Sequence, residues 1–89
     1  MSKPILLDFS ATWCGPCRMQ QPIIVKLEET FGDKVDFKEI DVDQNNELAS
    51  KYDIMVVPTL VIEKDGVEAR RFTGVTRAEV LSEELNKLL

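Results

Sequence analysis

The sequence predicts an α/β fold, one compact unit built in the order strand, helix, strand, short helix, hairpin, helix. Three observations carry that prediction. A short apolar run, Ile5 to Phe9, gives way to a stripe of apolar residues at helical spacing. A second strand-like run, Val35 to Val42, follows with a short polar stretch behind it. After Pro58, two β-type runs flank Asp65-Gly66, and a last apolar stripe closes the chain.

Each element has its own physical reason. Ile5 to Phe9 is nearly continuous in apolar residues, which suits a strand buried on both faces, and it ends in the small residues Ser10-Ala11-Thr12. From Pro16 onward, Met19, Ile23, Leu27 and Phe31 recur every four residues beside Ile24, the pattern of an amphipathic helix. Gly32 supplies the left-handed stop that helix ends favour, and Pro22 removes one backbone donor and predicts a kink. Val35 to Val42 mixes Val, Phe and Ile with Asp36, Lys38, Glu39 and Asp41, as expected for a sheet edge blunted by charge. Asn45 is placed to cap a short helix through Tyr52. Leu60 to Ile62 and Ala69 to Phe72 form a hairpin, because Asp65-Gly66 accepts the positive backbone angles of a tight turn. Thr76-Arg77-Ala78-Glu79 matches a capping box, and Val80, Leu81, Leu85 and Leu88 give the stripe of the final helix.

Composition narrows the function classes. With 89 residues, 44% hydrophobic and 30% charged, the chain fits a single globular domain over 1–89 and neither a disordered nor a membrane-spanning class. A formal charge of -5 and a pI near 4.6 repel phosphate backbones and anionic lipid, so neither nucleic acid nor membrane is an expected partner. That charge and the charged edge strand together favour a monomer. Only Ile5-Leu6-Leu7 separates Met1-Ser2-Lys3-Pro4 from Asp8, too little for a signal-peptide core, so a cytoplasmic location is expected.

Two cysteines in a reducing compartment point to metal binding or redox chemistry rather than to a structural cross-link. Cys14-Gly15-Pro16-Cys17 places both thiols at the turn from a strand into a helix, where the first faces unpaired amides of the helix N-terminus. A free thiol has a pKa of about 8.5, and such a position lowers it and favours the thiolate. Cys14 is therefore the candidate nucleophile. Cys17, one turn further in and expected to be the more buried, is the candidate resolving thiol that cleaves a mixed disulfide. A zinc site and an inert pair are the alternatives. Zinc takes four ligands, and with no histidine and no third cysteine they would come from distant carboxylates or a second chain, so no metal is expected.

The run Trp13-Cys14-Gly15-Pro16-Cys17, preceded by Asp8-Phe9 and followed by Pro22, resembles the active-site segment of thioredoxins. Val57-Pro58-Thr59 is similar to the cis-proline loop of that family, and Gly74 falls where the family carries a glycine after its hairpin. The resemblance spans nearly the whole chain. It implies a thioredoxin-like fold with a minimal four-stranded mixed sheet flanked by three helices, β-α-β-α-β-β-α. It further implies a thiol-disulfide oxidoreductase that reduces protein disulfides, is recharged by a thioredoxin-reductase-like donor, and needs no cofactor beyond a reversible Cys14–Cys17 disulfide.

Residue by residue, the resemblance makes Asp8 the buried acid that moves a proton to or from Cys17; burial in an apolar strand should raise its pKa. The alternative is an aspartate that merely caps a neighbouring amide. Trp13 would shield the dithiol and offer substrate a flat apolar surface, or else fill space in the core. Gly15 and Pro16 between the cysteines match the reductase pattern. Pro58, if cis, would leave the backbone of Val57 open to pair with an extended substrate, whereas a trans turn proline would not. Gly74 would admit close approach of the same substrate or simply permit a tight backbone angle.

The sequence also departs from the family. The strand and helix that usually precede the segment beginning here at Ile5 are not represented, which leaves Val35 to Val42 as an open edge. Ser10 stands where many thioredoxins have a second tryptophan. Glu39 stands where they usually have a lysine, so it would push the Asp8 pKa further up unless a register slip brings Lys38 there instead. A glutaredoxin-like, glutathione-dependent reductase is the rival reading, set against Gly15 where glutaredoxins more often have Tyr and against the want of a clear basic glutathione site. A non-catalytic interaction module using Trp13, Val57 and Val75 is a third reading. It gives no reason for two thiols and a buried acid.

Overall fold

The computed structural model describes residues 2–89. Four strands form one mixed sheet: β1 (Ile5–Ser10), β2 (Asp36–Asp41), β3 (Thr59–Lys64) and β4 (Val67–Thr73) in the order β2-β1-β3-β4. β1 pairs parallel with β2 and antiparallel with β3, and β4 pairs antiparallel with β3. Three α-helices pack around the sheet: α1 (Gly15–Phe31), α2 (Asn46–Lys51) and α3 (Ala78–Asn86), with a 3-10 turn at Gly32–Lys34.

Strand alternation divides the core into two layers, because successive side chains leave a strand on opposite faces. Leu6, Leu60 and Ile62 point to the face covered by α1 and α3, where they meet Leu27, Phe31, Leu81 and Leu85. Leu7, Phe9, Ile40 and Val61 point the other way and pack with Leu48, Tyr52 and Ile54 from α2 and the segment after it. With both faces covered, β1 is the buried strand its apolar run predicts. Full burial of an aliphatic side chain such as Leu6, Leu60 or Leu81 contributes about 2 kcal/mol relative to exposure.

The hairpin turn forms as expected: Asp65 and Gly66 both have positive φ, +55° and +77°. Gly32 ends α1 with φ +56°, its N–H donating to the Glu28 carbonyl, and Pro22 lies inside the helix.

Other local expectations fail. Met19 is 65% exposed, because the buried stripe of α1 runs through Cys17, Gln20, Leu27 and Phe31 and rotates Met19 to solvent. The Asn45 side chain makes no cap bond to α2; its amide donates to the Asp41 carbonyl instead, tying the loop to the end of β2. The capping box at Thr76 does not form either, since α3 starts one residue later with Arg77 at its N-cap, and the Thr76 hydroxyl donates to the Gly74 carbonyl. Val35 and Val42 fall just outside β2, and β4 starts at Val67, two residues earlier than the sequence suggests.

Candidate active site

β1 ends at Ser10, and within five residues the chain turns and enters α1. The Cys14 N–H donates to the Ala11 carbonyl (3.2 Å), and the Arg18 guanidinium to the Thr12 carbonyl (3.0 Å), so both sides of this loop are pinned. Cys14 is the N-cap residue of α1. Its sulfur accepts the N–H of Cys17 at 3.1 Å, placing it against the positive end of a 17-residue helix. Cys14 and Cys17 are disulfide-bonded, with Cα atoms 5.3 Å apart. The expected difference in burial between them is absent: Cys14 is 4% and Cys17 6% exposed. Val42 and Val57 pack against the two cysteines, which the spacing within the motif could not show.

Trp13 is 67% exposed, so it does not fill the core. Its Nε1 donates to Asp43 Oδ2 at 2.8 Å, which holds the indole beside the dithiol. Asp43 escaped the sequence reading because nothing in its neighbourhood marks a partner 30 residues away. Trp13, Val42, Ile54, Met55, Val56 and Val57 line a shallow apolar hollow, with Met55 89% exposed at its lip.

The Val57-Pro58 peptide is cis, and the Val57 carbonyl lies 3.6 Å from the Cys14 sulfur. The Gly74 N–H donates to the Pro58 carbonyl at 2.8 Å, bringing the segment after β4 to the same place. Gly74 has φ +82°, which accounts for a glycine there, and apart from its chain neighbours no atom of the described residues comes within 4 Å of where a Cβ would stand. Gly15 and Pro16 are exposed in the first turn of α1 between the cysteines.

Asp8 is 3% exposed, and its Oδ1 has no hydrogen-bond partner among the described residues. It shares the α1-facing side of the sheet with Leu6, and its β2 neighbour is Glu39, while Lys38 pairs with Leu7. The register does not slip. Burial first and the Glu39 carboxylate second push the Asp8 pKa from 3.8 up to about 6. Glu39 in turn faces an open cleft of about 400 Å³ lined also by Ala11, Cys17, Arg18 and Asp41, so the inner cysteine and the acid next to Asp8 share one water-accessible space. Among the described residues, no group of three or more His, Cys, Asp or Glu is arranged to hold a metal ion.

The Thioredoxin family model matches residues 1–87. The chain belongs to the thioredoxin family. It is 45% identical to the thioredoxin of Bacillus subtilis over 85 residues, covering 96% of this chain and 82% of that one. The thioredoxin of Staphylococcus aureus is 43% identical over 84 residues, with 94% and 81% covered. The solved structure of Fasciola hepatica thioredoxin superimposes with a TM-score of 0.87 at 41% identity, over 96% of this chain and 80% of that one. The thioredoxin-like fold and the dithiol at disulfide distance together make the protein a thiol-disulfide oxidoreductase. These thioredoxin relatives do not favour the glutathione-dependent or the non-catalytic reading.

Proposed function

We propose that residues 1–89 act as one monomeric unit that reduces disulfides in other proteins, with Cys14 as nucleophile and Cys17 as resolving thiol. The observation that carries the order of attack is the N-cap position of Cys14, whose sulfur accepts an amide of α1 while Cys17 lies inside the helix. The Cys14 thiolate attacks one substrate sulfur; a Cys14–substrate disulfide forms as the substrate S–S bond breaks, and the other substrate sulfur leaves as a thiolate that takes a proton from water. Cys17 then gives its proton to Asp8 and attacks the Cys14 sulfur. The Cys14–substrate bond breaks as the Cys14–Cys17 disulfide forms, and the substrate sulfur released from Cys14 takes the proton back from Asp8 through water and leaves as a thiol. Two electrons pass from the dithiol to the substrate.

Asp8 suits the proton step because its pKa of about 6 lies near neutrality, where a carboxylate can both accept and return a proton. Trp13, Gly15, Pro16, Val57, Pro58 and Gly74 form the surface that receives the substrate, the backbone of Val57 pairing with an extended segment. The oxidised pair is recharged by a thioredoxin-reductase-like donor, without metal or organic cofactor, as part of electron transport and redox homeostasis in the cytoplasm. Among the described residues no helix is long and apolar enough to cross a membrane.

Insulin-disulfide reduction with dithiothreitol as electron source tests this reading. Cys14→Ser and Cys17→Ser should both lose turnover, and only Cys17→Ser should accumulate a mixed disulfide with substrate. Trapping by Cys14→Ser instead would reverse the assignment, and wild-type activity no faster than dithiothreitol alone would end it.

A further inference from the structure

Gln20 is fully buried in the stripe that α1 turns to the core, three residues after Cys17, in a place where the helix otherwise presents apolar side chains. Both ends of its amide are used. Its Nε2 donates to the Thr76 carbonyl at 3.0 Å, and its Oε1 accepts the Thr76 N–H at 2.7 Å. One side chain thus satisfies both polar groups of one peptide residue on the segment between β4 and α3. Neither the disulfide chemistry nor the proton step uses it.

The clamp closes a circuit. Starting from the Cys14 sulfur, the path runs 3.6 Å to the Val57 carbonyl, along the chain to Pro58, and by the 2.8 Å hydrogen bond to the Gly74 N–H. Two residues on, Thr76 is held by Gln20, which returns the path to the dithiol helix. Without the clamp, the Thr76 peptide would lose both of its hydrogen bonds to α1, and the short segment between β4 and α3 would keep only the bond from Gly74 to Pro58 across the groove. Val75, 41% exposed, would then be free to shift relative to Val57.

We propose that Gln20 is a positioning residue for substrate docking: by holding the Thr76 peptide against α1 it sets the Gly74-Val75 wall at a fixed distance from Val57 and Cys14. The inference rests on the reading above that Gly74 and Val57 flank the bound substrate. A small disulfide reaches Cys14 without touching that wall, whereas a protein segment must fit between its sides. Gln20 therefore governs recognition of protein disulfides and leaves the intrinsic reactivity of Cys14 unaltered. Removing it costs little at the sulfur and much at the groove.

The test compares wild type, Gln20→Met, Gln20→Asn and Val75→Asp in two assays, with folding checked by circular dichroism. Gln20→Met fills the same space without donor or acceptor. Gln20→Asn keeps an amide one methylene too short to reach both Thr76 groups, and carries the comparison should Gln20→Met fail to fold. For insulin, KM should rise by about tenfold in Gln20→Met and less in Gln20→Asn, with kcat nearly unchanged. The rate with dithiobis-nitrobenzoate should equal wild type, and the Thr76 amide should lose protection from hydrogen exchange. An unchanged insulin KM in a folded Gln20 variant overturns the proposal, as does an equal loss in both assays. Val75→Asp separates the two readings. If it raises the insulin KM while the Gln20 variants do not, docking at this wall stands and only the clamp's role fails; if it has no effect, the wall itself is not used and both fall.

Discussion

Asp8 carries a charge that folding opposes, and the sign of the consequence follows from which protonation state the folded chain prefers. Its pKa rises from 3.8 to about 6 on folding, so the protonated form is favoured. The stabilisation is fully present below the unfolded pKa and is lost as pH rises through the folded one. At neutral pH the ionised carboxylate therefore costs on the order of 2–3 kcal/mol. Asp8→Asn is expected to melt several degrees higher than wild type at about pH 8 and to show little difference near pH 3, while insulin turnover falls. Equal melting temperatures at the higher pH would show that the acid is solvated and not suited to its proposed role. Asp8 and the dithiol were legible in the sequence because their signals are local: an acid within an apolar run and two thiols three residues apart. Gln20 was not. Its only trace is a polar residue in an apolar stripe, and its partner lies 56 residues away.

Elements were more legible than their ends. Apolar spacing places α1 and α3, a continuous apolar run places β1, a charged β-type run places β2, and the Asp65-Gly66 turn places β3 and β4; α2 was placed by Asn45. Caps depend on where the neighbouring chain runs. Asn45 and Thr76 both carry the right side chain for an N-cap and both spend it on a carbonyl of the preceding turn or strand end. The edge strand β2 was read correctly as open and charged, and the sheet order gives that reading a mechanism. Two copies joined antiparallel through β2 about a two-fold axis normal to the sheet would set Lys38 opposite Lys38, or Glu39 opposite Glu39 in the other register. Like charges directly opposed disfavour both pairings. Lys38→Val removes one obstacle and places β-branched residues face to face. The variant is expected to form dimers at rising concentration in analytical ultracentrifugation and the wild type to sediment as a monomer; two identical concentration profiles would show that charge does not guard this edge.

Across the molecule the sheet has a direction. β1 runs from Ile5 towards Cys14, and the first residue of β3, Thr59, pairs with Phe9 and Thr73 near the dithiol. At the far end Glu63 pairs with Ile5 and Glu68, and the Asp65-Gly66 turn projects beyond them. That turn is exposed. Tight exposed turns tolerate insertion because no buried group must move. A flexible peptide inserted between Asp65 and Gly66 is expected to leave the insulin-reduction rate at the wild-type value, and a loss of rate with the fold intact would mean that the two ends communicate. The hairpin thus serves as a handle: a surface, a dye or a fused enzyme attached there would hold the molecule by its inert pole, with the electron-carrying pole facing outward to whatever it meets.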